Sequence, residues 1–406
     1  MKVLLVAMYW PPAGGAGVVR PLKWAKHLQE LGFEVHVLAP DNPKWVYRDP
    51  TLREPPGVTV HRARNLGPRA RRPAEELYGR VGLERLARLV PIVLRGLLVP
   101  DASVLWNVTA IPAALRIVRR ERIEVVVTTS PPGSVHLVGA AASAATRARW
   151  VADLRDSLAA HAHRRREIRG EAVLSRLVAR RADALVTAST AIAREMAELA
   201  PRRAPVVVEN GCDFDDFDGL PYRPGDRFRL THTGAFFGRR SPATVVDALA
   251  RTDGVVARFV GGFPASERER ARSLGVDDRL ELIPFLPRAD VLALQRDSEA
   301  LLLLVPQADG RGRTVLTAKI FEYLAAERPI LAAVPPDGEA AALLRETGVG
   351  AVVPPDDTDA IAAALADLER RWREGALQAP RLSPELRERL SRRKRVEELA
   401  ALLKAL

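Results

Sequence analysis

Short apolar runs alternate with amphipathic stretches along nearly all of the 406-residue chain. KVLLVAM reads as a first strand, PLKWAKHLQELG as a helix and EVHVLAP as a second strand. EVVVTTS, RWVADL and ALVTAS follow as strands, separated by helical SVHLVGAAASAATRA and a helix around Glu171 to Ala182. Strands that are apolar on both faces and alternate with helices predict parallel sheets with crossover helices. The alternation restarts after PVVVENG. RLTHTG, ARFVGG, LELIPF, ALLLLVP, PILAAVP and GAVVPP are strand-like, and PATVVDALA, SERERARSLG, RADVLALQRDS, TAKIFEYLAAE, EAAALLRETG and DTDAIAAALADLERRWRE are helical. The expected fold class is α/β, with two Rossmann-like, doubly wound domains. The boundaries expected are 1–208 for the first domain, 209–227 for a linker rich in Asp, Pro and Gly, and 228–380 for the second. A charged final helix is expected over 381–406. No period of 20 to 50 residues recurs, which argues against a solenoid.

Composition adds bounds. A 47% hydrophobic content is ordinary for a globular chain, and no apolar run reaches the ~18 residues of a membrane span. The N-terminus lacks the pattern of a signal peptide, so a cytoplasmic setting is expected. Cys212, the single cysteine, excludes an internal disulfide and a cysteine metal cluster. The net charge of +12 is uneven: arginines crowd residues 62–100, interleaved with LVPIVLRGLLVP. That mixture suits an anionic membrane surface such as the inner face of the plasma membrane, and equally a solvated helix face. Without a reader motif and with few aromatic residues, nucleic acid is not an expected partner.

Two stretches carry candidate chemistry. WPPAGGAGVVR follows the first strand and opens a helix, so Gly14, Gly15 and Gly17 can let backbone N–H groups approach a phosphate. It has neither the dinucleotide GxGxxG spacing nor a P-loop Gly-Lys-Ser/Thr. In TAKIFEYLAAERP, Lys319 and Glu322 share a helix face. A cation at a helix start makes sense opposite an anionic ligand, and an ionised Glu can grip a ribose diol; the alternative is a surface ion pair. Asp153, Arg155 and Asp156 follow a strand, where a carboxylate could accept a hydroxyl proton or form an internal Arg–Asp brace. The acidic run Asp213, Asp215, Asp216 and Asp218 reads as a solvated linker in preference to a metal site.

WPPAGGAGVVRPLKWAKHL, TTSPPGSVHLVG, WVADLRDS, VENGCD, THTGAFFGRR and KIFEYLAAERPILA, in that order, resemble the family 4 retaining glycosyltransferases of GT-B fold. The resemblance implies two domains facing a central cleft, with a nucleotide-sugar donor held mainly by the second and the acceptor mainly by the first. It implies transfer with retention, no cofactor beyond the nucleotide-sugar co-substrate and no metal, and a last helix that returns to the first domain. It also places the glycine loop of Gly14 and Gly15, with Gly17 beside them, against the donor diphosphate and the acceptor, points Arg20 toward the same cleft, and makes Arg239 and Arg240 candidates for the diphosphate-binding basic pair. Glu322 matches the second Glu of the family's Glu-x7-Glu motif. The first would stand at Thr314, so recognition of the sugar must differ there. Branches with a KxFEY pattern, here Lys319, Phe321, Glu322 and Tyr323, are closer to this chain. His136 matches a His near the donor sugar, although packing or helix capping would account for it as well. Catalysis would then be electrostatic: His136, Arg239, Arg240 and Lys319 would act around a departing nucleoside diphosphate. Cell-surface polysaccharide or glycolipid synthesis is the setting implied, with a glycan or lipid-linked acceptor. The rivals are a GT-B-fold epimerase and a catalytically inactive nucleotide-sugar-binding or assembly protein.

Overall fold

The computed structural model describes residues 1–41, 48–66, 98–158, 165–236, 241–307 and 312–406. The chain divides into two compact units, Met1–Asn210 with Arg395–Leu406, and Gly211–Lys394.

The first unit is built on a parallel sheet of seven strands: β1 (Lys2–Ala7), β2 (Glu34–Pro40), β3 (Thr59–Ala63), β4 (Val125–Ser130), β5 (Arg149–Leu154), β6 (Ala184–Thr187) and β7 (Val206–Val207). Their order is β3-β2-β1-β4-β5-β6-β7, so the winding reverses between β1 and β4, where Leu5 pairs with both Val37 and Val127. Around the sheet lie α1 (Ala16–Glu30), α2 (Asn107–Glu121), α3 (His136–Ala145), α4 (Arg165–Arg181) and α5 (Thr190–Ala197). The central strand shows why its sequence is apolar throughout. Val3, Leu5 and Ala7 join one core with Val18, Trp24 and Leu28 of α1, whereas Leu4, Val6 and Met8 join another with Trp106, Ala110 and Ile117. Successive side chains point to opposite faces, and here both faces are covered.

The second unit repeats the plan with six strands: β8 (Phe228–Thr233), β9 (Val255–Val260), β10 (Leu280–Ile283), β11 (Ala300–Leu304), β12 (Ile330–Ala333) and β13 (Ala351–Val353). Their order is β10-β9-β8-β11-β12-β13, with the reversal between β8 and β11. Its helices are α6 (Ala243–Leu249), α7 (Ala265–Ser273), α8 (Arg288–Arg296), α9 (Ala318–Ala326), α10 (Glu339–Thr347), α11 (Thr358–Arg373) and α12 (Pro384–Leu390). Leu301 and Leu303 face α9 and α10 while Leu302 and Leu304 face α6 and α11, the same division of one strand between two cores.

The α/β class with two Rossmann-like parallel sheets is as the alternation predicts. Three elements have weak signals and were not expected: the polar edge strand β3, α2 with its internal Pro112, and the short α5. Residues 211–227 fall within the second unit. There buried Glu299 accepts hydrogen bonds from Tyr222 Oη (3.2 Å), Gly225 N (3.0 Å) and Arg229 N (2.9 Å). Instead of one final helix there are two, α12 and α13 (Arg392–Lys404), broken at Ser391, whose φ of −63° and ψ of 142° are extended. The break frees backbone for pairing: Cys212 N donates to Leu390 O (2.7 Å) and Arg392 N to Cys212 O (2.9 Å). Beyond it, Val396, Leu399 and Leu403 pack into the first unit's core beside α1.

Candidate functional site

In open parallel sheets the ligand edge is where the strands' carboxyl ends meet the winding reversal. In the first unit, β1 leads there into the glycine loop. Gly15 takes φ +92°, a conformation strained for any other residue, and caps α1 with open space where a Cβ would project. At Gly17 a Cβ would lie 3.2 Å from the Tyr9 ring, so the helix start sits close on that phenol. Burial raises the Tyr9 pKa; nearby Arg155 opposes this, and Asp101 and Asp156 add to it. Arg155 donates to three backbone carbonyls: Gly17 O (2.6 Å), Ser130 O (2.6 Å) and Pro131 O (3.1 Å). Its guanidinium therefore clamps the glycine loop to the loop after β4. Asp156 is exposed beside it.

Arg20 lies in the interior of the first unit. It is 2% exposed and forms a bidentate pair with Asp153, Nε to Oδ2 at 3.1 Å and Nη2 to Oδ1 at 2.8 Å. Asp153 also accepts from Thr129 Oγ1 at 2.6 Å. With three hydrogen bonds received inside the first unit, Asp153 forms the Arg–Asp brace that the sequence offered as one of its two readings. His136 is likewise interior, at 0% exposure. Its Nδ1 lies 2.8 Å from Thr128 Oγ1, which also accepts from Trp150 Nε1 at 2.8 Å, and its Nε2 is without a partner among the described residues. Burial pushes its pKa down to about 4 against the opposing charge of Asp153, so the ring is neutral at physiological pH. Inside the first unit His136 has the packing role that the sequence left open.

In the second unit the chemistry gathers around the turn after β8. Gly234 takes φ +116°, and a Cβ on it would lie 2.7 Å from Lys319 Nζ. Gly261 follows β9 with φ +119°, and a Cβ on it would lie 3.0 Å from the Gly234 carbonyl carbon. Gly234 thus makes room for an ammonium at the start of α9, and Gly261 for the Gly234 backbone; the cap of α9 is Thr317, its hydroxyl accepting from Lys319 N at 3.4 Å. One turn on, Glu322 Oε1 receives Arg288 Nη1 at 2.5 Å, and Oε2 faces Gln295 Nε2 at 3.4 Å. Gln295 also donates to Thr233 Oγ1 (2.9 Å), and Thr233 N donates to Tyr323 Oη (3.1 Å), whose pKa burial pushes up to about 12. Lys319, Glu322, Gly234 and Thr233 therefore converge at one end of one sheet.

Other expectations fall differently. Phe321 is 1% exposed inside the second unit's core, so it supports α9 without reaching a donor. Thr314 is exposed. Arg239 and Arg240 lie outside the described residues. The acidic run is not merely solvated: Asp213 pairs with buried Arg392 at 2.7 Å and Asp216 with Arg288 at 3.3 Å. Among the described residues no group of three His, Cys, Asp or Glu side chains could hold a metal ion. Sequence reading missed Arg288 and Gln295, because their partner lies 34 and 27 residues further on. Gly234 had a usable signal, as a glycine closing a predicted strand.

Residues 14–211 match the family described as the glycosyl transferase 4-like domain. No curated protein matches the chain. Among solved structures, sucrose-phosphate synthase from Thermosynechococcus elongatus is similar with a TM-score of 0.68 and 17% identity, covering 100% of this chain and 98% of that one. Anabaena HepE in complex with UDP-glucose gives 0.65 and 16%, with both chains fully covered. UDP-GlcNAc 2-epimerase from Methanocaldococcus jannaschii gives 0.54 and 10%, again over both whole chains. At such identities the likeness establishes the GT-B type of fold, and the family match covers residues 14–211.

The His136 environment sets a pH dependence. Its folded pKa of about 4 lies below the ordinary imidazole value of about 6.5. Its contribution to stability is therefore complete above pH 6.5 and is lost as pH falls toward 4, by up to about 3 kcal/mol. In urea unfolding at pH 7, 6, 5 and 4, the gap between wild type and His136→Leu should shrink as pH falls. Parallel curves would remove this explanation.

Proposed function

We propose that this chain, whose residues 14–211 belong to the glycosyl transferase 4-like domain family, moves a sugar from a nucleotide-sugar donor to an acceptor hydroxyl with retention and without a metal. It is a glycosyltransferase, and the observation that carries the donor reading is the convergence of Lys319, Gly234 and Glu322 at the start of α9. A helix N-terminus with an ammonium beside it favours a diphosphate. When the nucleoside diphosphate leaves, charge develops on a phosphate oxygen, and a preorganised cation there is worth about 3 kcal/mol of barrier. Lys319 supplies that charge, which is why no metal is invoked; Arg239 and Arg240 follow the same turn in the sequence. Glu322 takes the ribose. HepE, of the same fold, was solved with UDP-glucose, which supports a donor of this class. The Lys319-x-Phe321-Glu322-Tyr323 pattern, with Thr314 in place of a carboxylate, assigns the chain to a KxFEY branch; homologues sharing the pattern but failing to cluster would undo that assignment.

The acceptor belongs to the first unit, where Gly15, Gly17 and Tyr9 line the carboxyl edge of the sheet, and we assign it to the glycans or lipid-linked glycans of cell-surface polymers. Attachment to an anionic membrane at the inner face of the plasma membrane fits the arginines of 62–100, most of which lie outside the described residues. It also fits the outer face of α2, which exposes Val108, Pro112, Arg116, Arg119 and Arg120. No helix among the described residues is long and apolar enough to cross a membrane.

Thermal shift with UDP-, GDP-, ADP- and dTDP-sugars should show stabilisation by one nucleotide class that Glu322→Ala abolishes. With that donor and EDTA present, transfer should proceed and NMR should find the donor's anomeric configuration in the product. Inversion or loss of turnover in EDTA would sink retention or metal independence, and no shift with any nucleotide would leave an inactive binding protein. Sedimentation with phosphatidylglycerol vesicles should exceed that with phosphatidylcholine vesicles and fall in Arg116→Glu/Arg119→Glu/Arg120→Glu. Equal sedimentation with both vesicle types would end the membrane reading.

A further inference from the structure

We propose that Arg288 and Gln295 are positioning residues that set the Glu322 carboxylate for a vicinal diol, so that the chain takes ribonucleotide donors and discriminates against their 2′-deoxy counterparts. The inference rests on the reading of Glu322 given above. Arg288 and Gln295 stand seven residues apart on α8, two helical turns, and so share the face turned to α9. Arg288 gives one guanidinium nitrogen to Glu322 Oε1 (2.5 Å) and the other to Asp216 Oδ2 (3.3 Å), on the short helix Phe214–Phe217. Carboxylates on two different elements thus fix its plane. Burial works against the Arg288 charge, but Glu322, with Asp213 and Asp216, outweighs it and holds the pKa above its ordinary value. The guanidinium is therefore a permanent partner.

Gln295 is fully buried and is anchored in turn, its Nε2 donating to Thr233 Oγ1 at 2.9 Å. From there it reaches Glu322 Oε2 at 3.4 Å. An ionised carboxylate accepts only, at about four lone-pair positions. Arg288 and Gln295 address one position on each oxygen. Among the described residues one position on each oxygen is left for a further donor, and two adjacent hydroxyls meet that arrangement where a single hydroxyl cannot. The same two contacts hold the side chain against rotation, so its orientation is fixed before a ligand arrives. Thr233, which anchors Gln295, directly precedes Gly234, and this ties the orientation of the carboxylate to the turn that admits Lys319.

A missing hydrogen bond to a charged acceptor weakens binding about tenfold to a hundredfold. Calorimetric titration of the full chain with UDP and 2′-deoxy-UDP, GDP and 2′-deoxy-GDP, and ADP and 2′-deoxy-ADP should show at least about a tenfold preference for the ribo form in the pair that binds. Arg288→Met and Gln295→Leu should reduce the preference to within about threefold, chiefly by weakening the ribo form, and Arg288→Lys should restore part of it. A merely structural role would weaken both members of a pair equally, and that result would overturn the inference, as would variants that keep the preference. If Glu322→Ala removes the preference while the Arg288 and Gln295 variants keep it, positioning alone fails. If Glu322→Ala keeps it, or no nucleotide binds, the ribose reading fails and this inference with it.

Discussion

The first unit hangs on one buried ion pair, Arg20 with Asp153. Burying either charge alone would cost about 3 to 5 kcal/mol, so the two must meet with good geometry and every remaining polar atom must be satisfied. They are. Asp153 at the end of β5 takes two guanidinium nitrogens and the hydroxyl of Thr129 on β4. Arg20 on α1 adds Val208 O (2.7 Å) and Glu209 O (3.0 Å), and lies 4.2 Å over the Trp24 ring. One guanidinium therefore registers the helix behind the glycine loop, the two strands beside it and the segment by which the chain leaves the unit. Arg155 completes the arrangement from the other side by holding the Gly17, Ser130 and Pro131 carbonyls.

The second unit solves the same problem twice. At the amino end of its sheet, buried Glu299 gathers Tyr222, Gly225 and Arg229 and so fastens the incoming segment; Arg328 covers the Tyr222 ring at 3.6 Å. At the carboxyl end, the network from Arg288 through Glu322 and Gln295 to Thr233 does so where a ligand would sit. The difference between them is exposure. Glu299 is sealed, with its oxygens occupied by protein donors, whereas the side chain of Glu322 keeps 20% of its surface. A carboxylate oriented by the protein but still open to solvent is the kind of group that can recognise a ligand.

Much of the fold was legible because strands such as KVLLVAM and ALLLLVP are apolar on both faces, a pattern that a buried parallel sheet demands. Less regular pieces escaped. β3 lies at an edge and alternates polar residues, and the final helix breaks at Ser391 because backbone there pairs with Cys212, 179 positions earlier. At the site, Lys319 and Glu322 stood out because i,i+3 spacing is local information. Arg20 and His136 show the converse: both residue types suit phosphate or sugar chemistry, and the burial that distant strands give them is not written in their local sequence. Arg288 meets Glu322 and Asp216, which lie 34 and 72 positions away in the sequence. Tertiary neighbours decide whether a charged residue is a tool or a truss.

The central claim is that the carboxyl end of the second sheet receives the donor diphosphate and ribose. Hydrogen–deuterium exchange of the full chain, with and without a saturating nucleotide diphosphate, tests it most directly. Nucleotide should slow exchange over residues 233–236, 261–264 and 317–323, where the Gly234 turn, the Gly261 turn and the start of α9 meet. Slowed exchange confined to other segments, with these three unchanged, would contradict it.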